Sequence, residues 1–360
     1  MNEISRTVST ALQSMRQREQ ASRLAGKISE TAQEMTTGMK ARPYDALGHR
    51  SSDAIAIRMQ IVRNDGFLTS NSLLERRFES VEIALSGIRE AGQDVLNQLL
   101  VTGSSAGFSS DHLAQSARAA IDFIVGHSAV SDSSGFVMSG TRSDARPLQS
   151  WDVPNAETGL APAQILDNVL GGTIGGLADA YARIDALKRV FDDADTSNPD
   201  YNFDASFYNG SPALDAAGGP NPLVKFRISE NETLTQPAQA NDPAMRDLLR
   251  GLAMISSVDV NQITDLEARD AWMGEARSAL SKGLGGLANL ETTMGIRRAQ
   301  LADTIKSQES RSAFLDTERL ALEGVDQYDA ASRLTLLQTQ LESSYAVTAR
   351  LSRMSFLNYL

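Results

Sequence analysis

The chain ends on the stretch ASRLTLLQTQLESSYAVTARLSRMSFLNYL, residues 331–360, and this stretch decides how the rest of the sequence is read. Its apolar and small residues recur at alternating spacings of three and four, which predicts a helix with a narrow seam. The seam positions are Leu334, Leu337, Leu341, Ser344, Thr348 and Leu351. Beyond residue 351 apolar side chains surround the helix, and such a helix must be buried on all sides. A terminus of a monomer does not normally provide that burial, so the pattern indicates partners outside the molecule. The alternative is a helix docked on its own domain.

The other end of the chain provides a matching helix. Residues 3–41 predict one long helix whose apolar row is narrow, as it is in coiled coils. We expect the two ends to form one assembly surface, with the residues Ile4, Val8, Leu12, Met15, Leu24, Ile28, Leu334, Leu337, Leu341, Leu351, Met354, Phe356 and Leu357.

Two stretches resemble a known family. The C-terminal run is similar to the last helix of the flagellin superfamily of bacterial flagella. The run FVMSGTRSDARPL, residues 136–148, resembles a segment of the hook-associated members, and the matching positions are Phe136, Gly140, Thr141, Asp144 and Pro147. The loop at residues 42–53 departs from the family pattern, because HRSSDAIAI has a single Asp and no following Gly.

The resemblance implies a function and a set of partners. It implies a structural adaptor at the hook–filament junction, needed for motility, that assembles with its own copies into a ring or helical lattice. Further implied partners are the other hook-associated junction protein, flagellin and a flagellar export chaperone. Members leave the cell through the flagellar type III export channel and reside in the extracellular flagellum. A flagellin is the first alternative, and a secreted coiled-coil effector or adhesin is the second.

Composition excludes several classes of function. The 360 residues carry a net charge of −11, which argues against nucleic acid and anionic membranes as partners. There are no cysteines, so disulfides, zinc–thiolate sites and cysteine nucleophiles are excluded. No run approaches the roughly 18 apolar residues of a membrane span. The N-terminus also lacks the apolar region of a secretory signal peptide.

The periodicity predicts a mainly α fold. The terminal helices pair as a coiled coil, a long antiparallel helical rod follows, and a small α/β outer domain is inserted. We expect residues 1–42 plus 325–360 to form the terminal assembly domain, 43–150 plus 243–324 the rod domain, and 151–242 the inserted domain. Within these, helices are predicted over 53–102, from 110 or 111 onward, over 165–191, 245–255 and 262–324. The turn at 103–110, short strands in FDASFYNG and LVKFRIS, and a bend at Gly283–Gly286 complete the prediction.

The sequence contains few motifs for catalysis or for binding cofactors and metals. LGGTIGGL, which ends at Leu177, matches neither nucleotide-binding glycine motif. Asp193, Asp195, Ser197 and Asp204 only loosely imitate a calcium loop, because the required Gly and the final Glu are missing. No catalytic triad or metal-ligand spacing can be assigned. We therefore expect no enzymatic activity, no cofactor and no metal.

Overall fold

The computed structural model describes the backbone of residues 3–102, 110–215, 217–236 and 238–357. Nearly all side chains before residue 15, and all after residue 350, lie outside this description. The helices are α1 Glu3–Thr37, α2 Pro43–Leu47, α3 Ser51–Thr102, α4 Ser110–Ser128, α5 Pro162–Leu170, α6 Leu177–Phe191, α7 Pro243–Ser257, α8 Leu266–Glu323 and α9 Gln327–Leu357. Two antiparallel hairpins, β1 Ser131–Asp132 with β2 Gly135–Phe136 and β3 Lys225–Arg227 with β4 Thr233–Thr235, complete the regular structure.

The mainly α fold with paired terminal helices, long antiparallel helices and a small inserted α/β part is confirmed. The chain divides into two compact units. Unit 1 comprises Met1–Leu68 with Ser307–Leu360, and unit 2 comprises Thr69–Lys306. The three-part division into terminal, rod and inserted domains stays a prediction. The turn predicted over residues 103–110 lies almost entirely outside the described residues.

Two antiparallel helix pairs build unit 1. α1 packs against α9, and the first part of α3 packs against the last part of α8 around a small core. The fully buried members of that core are Ala54, Ile57, Leu315 and Leu322. Asn64 adds a buried polar contact, because its Nδ2 donates to the carbonyl of Gln308 at 2.8 Å. On α8 the buried positions 308, 315 and 322 follow a seven-residue repeat, which is the spacing of a coiled-coil seam.

Unit 2 is organised around α7. Asp242 caps this helix by accepting from the backbone N–H of Ala244 at 2.9 Å, and Pro243 occupies the first turn. Every residue from 244 to 255 is buried. The core of unit 2 also contains both tryptophans, Trp151 and Trp272, and the indole N–H of Trp272 donates to the carbonyl of Met254 at 3.1 Å.

Glycines let the neighbouring helices approach α7 closely. A Cβ on Gly283 would lie 2.5 Å from the backbone nitrogen of Leu248, and one on Gly286 would lie 2.6 Å from the Cβ of Ala244. A Cβ on Gly92 would lie 2.7 Å from a methyl of Leu248. The helix α8 continues through residues 283–286, where the sequence had allowed a bend. Close packing, for which a bare α-carbon is required, therefore accounts for these glycines.

The inserted region differs from its prediction in two places. Residues 165–191 form two helices, because α5 ends at Gly171, where φ is +59°. The following loop is held by Arg183, whose guanidinium donates to the carbonyls of Leu170, Gly172 and Thr173. The segment FDASFYNG contains a π-helix, Phe203–Phe207, in place of a strand. Its two phenylalanines pack with Phe191, with ring centroids 5.3–5.7 Å apart, and this packing favours a helical turn.

The first part of α3 carries an apolar row that is not its buried face. Ile55, Met59 and Val62 recur at helical spacing, yet all three side chains are exposed. The buried face of this part of α3 is built from Ala54 and Ile57. The helix thus carries two apolar rows, and the row that contains the small Ala54 faces the core, which allows α8 to come close.

Candidate assembly surfaces

Backbone hydrogen bonds form the joint between the terminal helices. α1 ends at Gly38, which has φ +68° and whose carbonyl accepts from Val325 N at 2.9 Å. The backbone N–H of Lys40 donates to the carbonyl of Glu323 at 2.8 Å. α9 therefore runs antiparallel to α1, and an ion pair between Glu34 and Arg333 at 3.7 Å joins the two helices. Near this joint, Thr31 and Ala330 are buried.

The predicted assembly residues fall into three groups. Five lie half-buried along the pair, namely Leu24, Ile28, Leu334, Leu337 and Leu341. Two are exposed, Leu12 and Met15, and the latter is 73% exposed. The side chains of Ile4, Val8, Leu351, Met354, Phe356 and Leu357 lie outside the described residues. Their joint role in assembly stays a prediction.

Further apolar side chains of the terminal helix pair are exposed to solvent. Tyr328 is 83% exposed, and the other members of this set are Met35, Leu336, Tyr345 and Val347. Scattered exposed apolar residues are normal on a protein surface, whereas a helix pair that leaves so many exposed offers contacts to further helices. The terminal helix pair of one chain therefore has exposed apolar faces that further helices can contact.

A second surface lies at the start of α3, and we name it the α3 groove. It is lined by Tyr44, Ile55, Arg58, Met59, Val62 and Arg63 and has a volume of about 460 Å³. The sequence analysis did not identify this surface, because the spacing of Ile55, Met59 and Val62 was used only to predict the helix over residues 53–102. The sequence did contain a signal, because Ala54 and Ile57 form a neighbouring row that can equally serve as the buried face of the helix.

The stretch at residues 136–148 folds into a compact loop that makes hydrogen bonds with residues of the inserted region. Gly140 has φ +66°, and a Cβ there would lie 2.0 Å from the hydroxyl of Ser211. That hydroxyl accepts from the backbone N–H of Thr141 at 3.1 Å. Phe136 is half-buried, Pro147 is buried, and Asp144 is exposed. The carbonyl of Pro147 accepts from the backbone N–H of Asn209 at 2.8 Å. These contacts give Gly140 and Pro147 a structural part in the loop.

Two of the four residues that imitate a calcium loop, Asp193 and Asp204, bind a buried arginine. The guanidinium of Arg246 donates to Asp193 and, at 2.8 Å, to Asp204. It also donates to the carbonyls of Phe191 and Asn241 and lies over the ring of Phe203 at 4.9 Å. Burial raises the pKa of the Asp193 carboxyl above its ordinary value, against the opposing effect of Arg246. This cluster ties α7 to the inserted region.

A second buried network surrounds Arg250. Its guanidinium donates to Glu275 at 2.7 Å and to Asp247 at 3.1 Å, and Lys188 pairs with Glu275 at 3.0 Å. Burial acts to raise the pKa of the Glu275 carboxyl, but the hydrogen bonds from Arg250 and Lys188 outweigh it and hold that pKa below its ordinary value. Glu275 is therefore ionised and structural at neutral pH.

In the described part of the chain, no group of three or more histidine, cysteine, aspartate or glutamate side chains is arranged to hold a metal ion. Among the described helices, none combines the length and the apolar character that crossing a membrane requires.

Comparison with known proteins finds a family match for the C-terminal part of the chain. Residues 261–360 match the family described as the bacterial flagellin C-terminal helical region. This match contains the whole of α8 and α9. A solved structure from Vibrio parahaemolyticus, of a protein assigned as flagellar hook-associated, aligns with 76% of this chain and 96% of that chain, at 11% identity and a TM-score of 0.49. No curated protein matches the chain. The C-terminal part of the chain is thus similar to the corresponding region of bacterial flagellin.

Proposed function

We propose that this protein is a structural, non-enzymatic component of the bacterial flagellum that assembles through its terminal helix pair. The observation that carries the proposal is the match of residues 261–360 to the flagellin C-terminal helical region, together with the pairing of α9 with α1. The apolar side chains that this pair leaves exposed are suited to contacts with the helices of neighbouring subunits.

Within the flagellum, the position that we propose is the hook–filament junction. The stretch 136–148 supports it, because its Phe136, Gly140, Thr141, Asp144 and Pro147 match the pattern of hook-associated members. In this role one edge of a ring of subunits contacts the other hook-associated protein and the opposite edge contacts flagellin. Export through the type III channel, with a dedicated chaperone, belongs to the same proposal.

The second candidate is a filament subunit, and the flagellin match favours it. Purified protein separates the two roles, because a flagellin polymerises alone into long filaments and a junction protein does not. Electron microscopy of cells that lack the gene provides the decisive comparison. A junction role gives hooks without filaments and flagellin shed into the medium. Retained motility would contradict both roles and favour a secreted effector or adhesin.

A pair of adjacent substitutions tests the terminal surface. Leu341 is half-buried along the pair, whereas its neighbour Gln340 is exposed. Leu341→Asp removes about 1–2 kcal/mol of apolar burial and places a charge at the seam. Gln340→Asp introduces the same residue into the same helix without changing the seam, so the helix propensity is matched.

We expect Leu341→Asp to be absent from isolated flagella and Gln340→Asp to be incorporated normally. The tryptophan fluorescence of both variants reports on unit 2 and should be that of the unmodified protein, because both tryptophans lie there. Normal incorporation of Leu341→Asp would show that the seam has been assigned to the wrong residues.

A further inference from the structure

Two short connections join the helix pairs of unit 1. Residues 38–42 lead from α1 to α2, and residues 324–326 lead from α8 to α9. Each connection contains a glycine, Gly38 or Gly324, and glycine populates more backbone conformations than other residues do. The two connections pair at a single bridge between Met39 and Gly324, and so short a ribbon is only marginally stable alone. Side-chain contacts are therefore needed to fix the direction of the α1–α9 pair.

Glu323, the last residue of α8, joins three parts of unit 1. Its side chain is 1% exposed, and both carboxylate oxygens accept from Arg58 of α3, at 2.8 and 2.6 Å. Its backbone carbonyl accepts from the N–H of Lys40 at 2.8 Å, and the chain continues from it towards α9. The ammonium of Lys40 also donates to the carbonyl of Leu322 at 2.7 Å, where the C-terminus of a helix favours a positive charge. The last turn of α8 thus holds both α3 and the connection from α1.

Arg58 extends this network to α2. Its guanidinium lies 5.6 Å from the centre of the Tyr44 ring, and α2 directly follows the connection from α1. The hydrogen bond to Glu323 raises the pKa of Arg58 above its ordinary value. Arg58 is therefore positively charged at neutral pH, and it contacts the chain on both sides of the connections.

The pair of Arg58 and Glu323 is better suited to specifying an arrangement than to stabilising it. Buried charges lose their hydration, and apolar side chains of similar volume often stabilise a fold equally well or better. Two parallel N–H···O bonds, however, form only at one relative placement of the guanidinium and the carboxylate. Loss of these bonds would release the last turn of α8, to which both connections are bound.

We propose that Arg58 and Glu323 act as positioning residues, which set the angle between the α1–α9 pair and the α3–α8 pair. In the assembled flagellum this angle determines how the terminal helix pair is presented to neighbouring copies. The second step rests on the proposed function, whereas the first is tested on the purified full-length protein.

The angle can be measured with two spin labels and pulsed electron paramagnetic resonance, because the chain has no cysteine of its own. Ser22→Cys on α1 and Ala313→Cys on α8 are exposed sites in different helix pairs, and the distance between them is named the inter-pair distance. Ser22 lies about 24 Å along α1 from Gly38, so a change of about 20° in the angle moves its label by about 8 Å. A second labelled protein, Ser22→Cys with Ser343→Cys, gives the distance within the α1–α9 pair.

Glu323→Gln is the test substitution, because it keeps the size of the side chain, removes its charge and turns an amide group towards Arg58. The matched control is Glu318→Gln, since Glu318 is an exposed residue of the same helix. We expect Glu323→Gln to shift or broaden the inter-pair distance by several ångströms and Glu318→Gln to leave it unchanged. Arg58→Gln should have the same effect as Glu323→Gln, and the double variant should show no more than either, because the two residues act as one pair.

The distance within the α1–α9 pair should be the same in all of these variants. An inter-pair distance that Glu323→Gln does not change would overturn the inference, and so would a broad distribution of that distance in the unmodified protein. A change within the α1–α9 pair would mean that the ion pair supports helix pairing instead of the angle, and this result also overturns the inference.

Isolated flagella test the consequence for assembly. We expect Glu323→Gln to be incorporated at least severalfold less than Glu318→Gln. Normal incorporation of Glu323→Gln with an altered inter-pair distance would overturn the link between angle and assembly and leave the proposed function intact. Absence of the unmodified protein from flagella would overturn the proposed function together with that link, while the distance measurements still decide whether the ion pair sets the angle.

Discussion

Replacement of Gly283 by alanine tests the packing around α7 most directly. In an isolated helix this change stabilises by about 1 kcal/mol, because alanine has a higher helix propensity than glycine. In this protein the added Cβ would lie within 3.0 Å of three backbone atoms, and the nearest is Leu248 N at 2.5 Å. Backbone atoms cannot rotate away as a side chain can. The helices must therefore separate by several tenths of an ångström.

The cost follows from the side chains that lose contact. Leu248 is fully buried, and such a leucine makes about 40–60 contacts of about 0.1–0.2 kcal/mol each. A gap of about 0.5 Å forfeits roughly a quarter of that attraction, or about 1–3 kcal/mol. A second close approach limits any sideways movement of α7, because a Cβ on Gly251 would lie 2.9 Å from the backbone nitrogen of Leu280. We expect Gly283→Ala to destabilise unit 2 by about 1 kcal/mol after the propensity gain of about 1 kcal/mol is subtracted.

Gly285 provides the matched control. It lies two residues away in the same helix, and a Cβ there would meet nothing within 4 Å. Gly285→Ala should therefore stabilise the protein by up to about 1 kcal/mol. Urea unfolding followed by tryptophan fluorescence measures unit 2 alone, since Trp151 and Trp272 are both buried there. Equal stability of the two variants, or a more stable Gly283→Ala, would refute the reasoning.

Two further predictions concern the buried charges of unit 2. Arg246→Met should destabilise this unit by about 3–5 kcal/mol in the same urea assay, because Asp193 and Asp204 lose their shared partner; a loss below about 1 kcal/mol would contradict a structural role for this cluster. Glu275 has a lowered pKa, so the stability that it contributes is present above its unfolded pKa of about 4.3 and is lost as the pH falls through the lower folded value. Glu275→Gln should therefore be less stable than the unmodified protein at pH 7, by about 1–3 kcal/mol, and the difference should shrink below pH 4. A difference that does not change with pH would exclude this linkage.

The long helices could be predicted from the sequence because their evidence is local. A repeat of three and four over many residues identifies α1, α3, α8 and α9 without knowledge of what they contact. The predicted and observed bounds differ by only a few residues, as at Thr37, where α1 ends before the predicted residue 41. The pairing of the two ends was also accessible, since each carries a narrow row that only another helix can cover.

The errors arise where a distant partner decides between local alternatives. Glycine disfavours a helix locally, so Gly283 indicated a bend until the close approach of α7 was known. Ile55, Met59 and Val62 recur as regularly as the residues of the buried row do. Only the packing against α8 shows that Ala54 and Ile57 form the buried face. Likewise, nothing next to Asp193 in the sequence indicates that Arg246, far along the chain, occupies its carboxylate.

The distribution of burial in the two units suggests how stability and assembly are connected. Unit 2 has an extensive apolar core and two buried charge networks. Four buried apolar residues form the described core between α3 and α8 of unit 1, while apolar side chains remain exposed in the α3 groove, at Phe314 and along the terminal pair. Obligate interfaces resemble a domain core that has been cut in half. Unit 1 has this character, so part of its stabilising burial is expected to come from neighbouring copies. Its stability then depends on assembly by mass action, whereas that of unit 2 does not. In the proposed assembly, unit 2 is already folded before the subunit is incorporated, and the exposed apolar surfaces of unit 1 become buried against neighbouring copies.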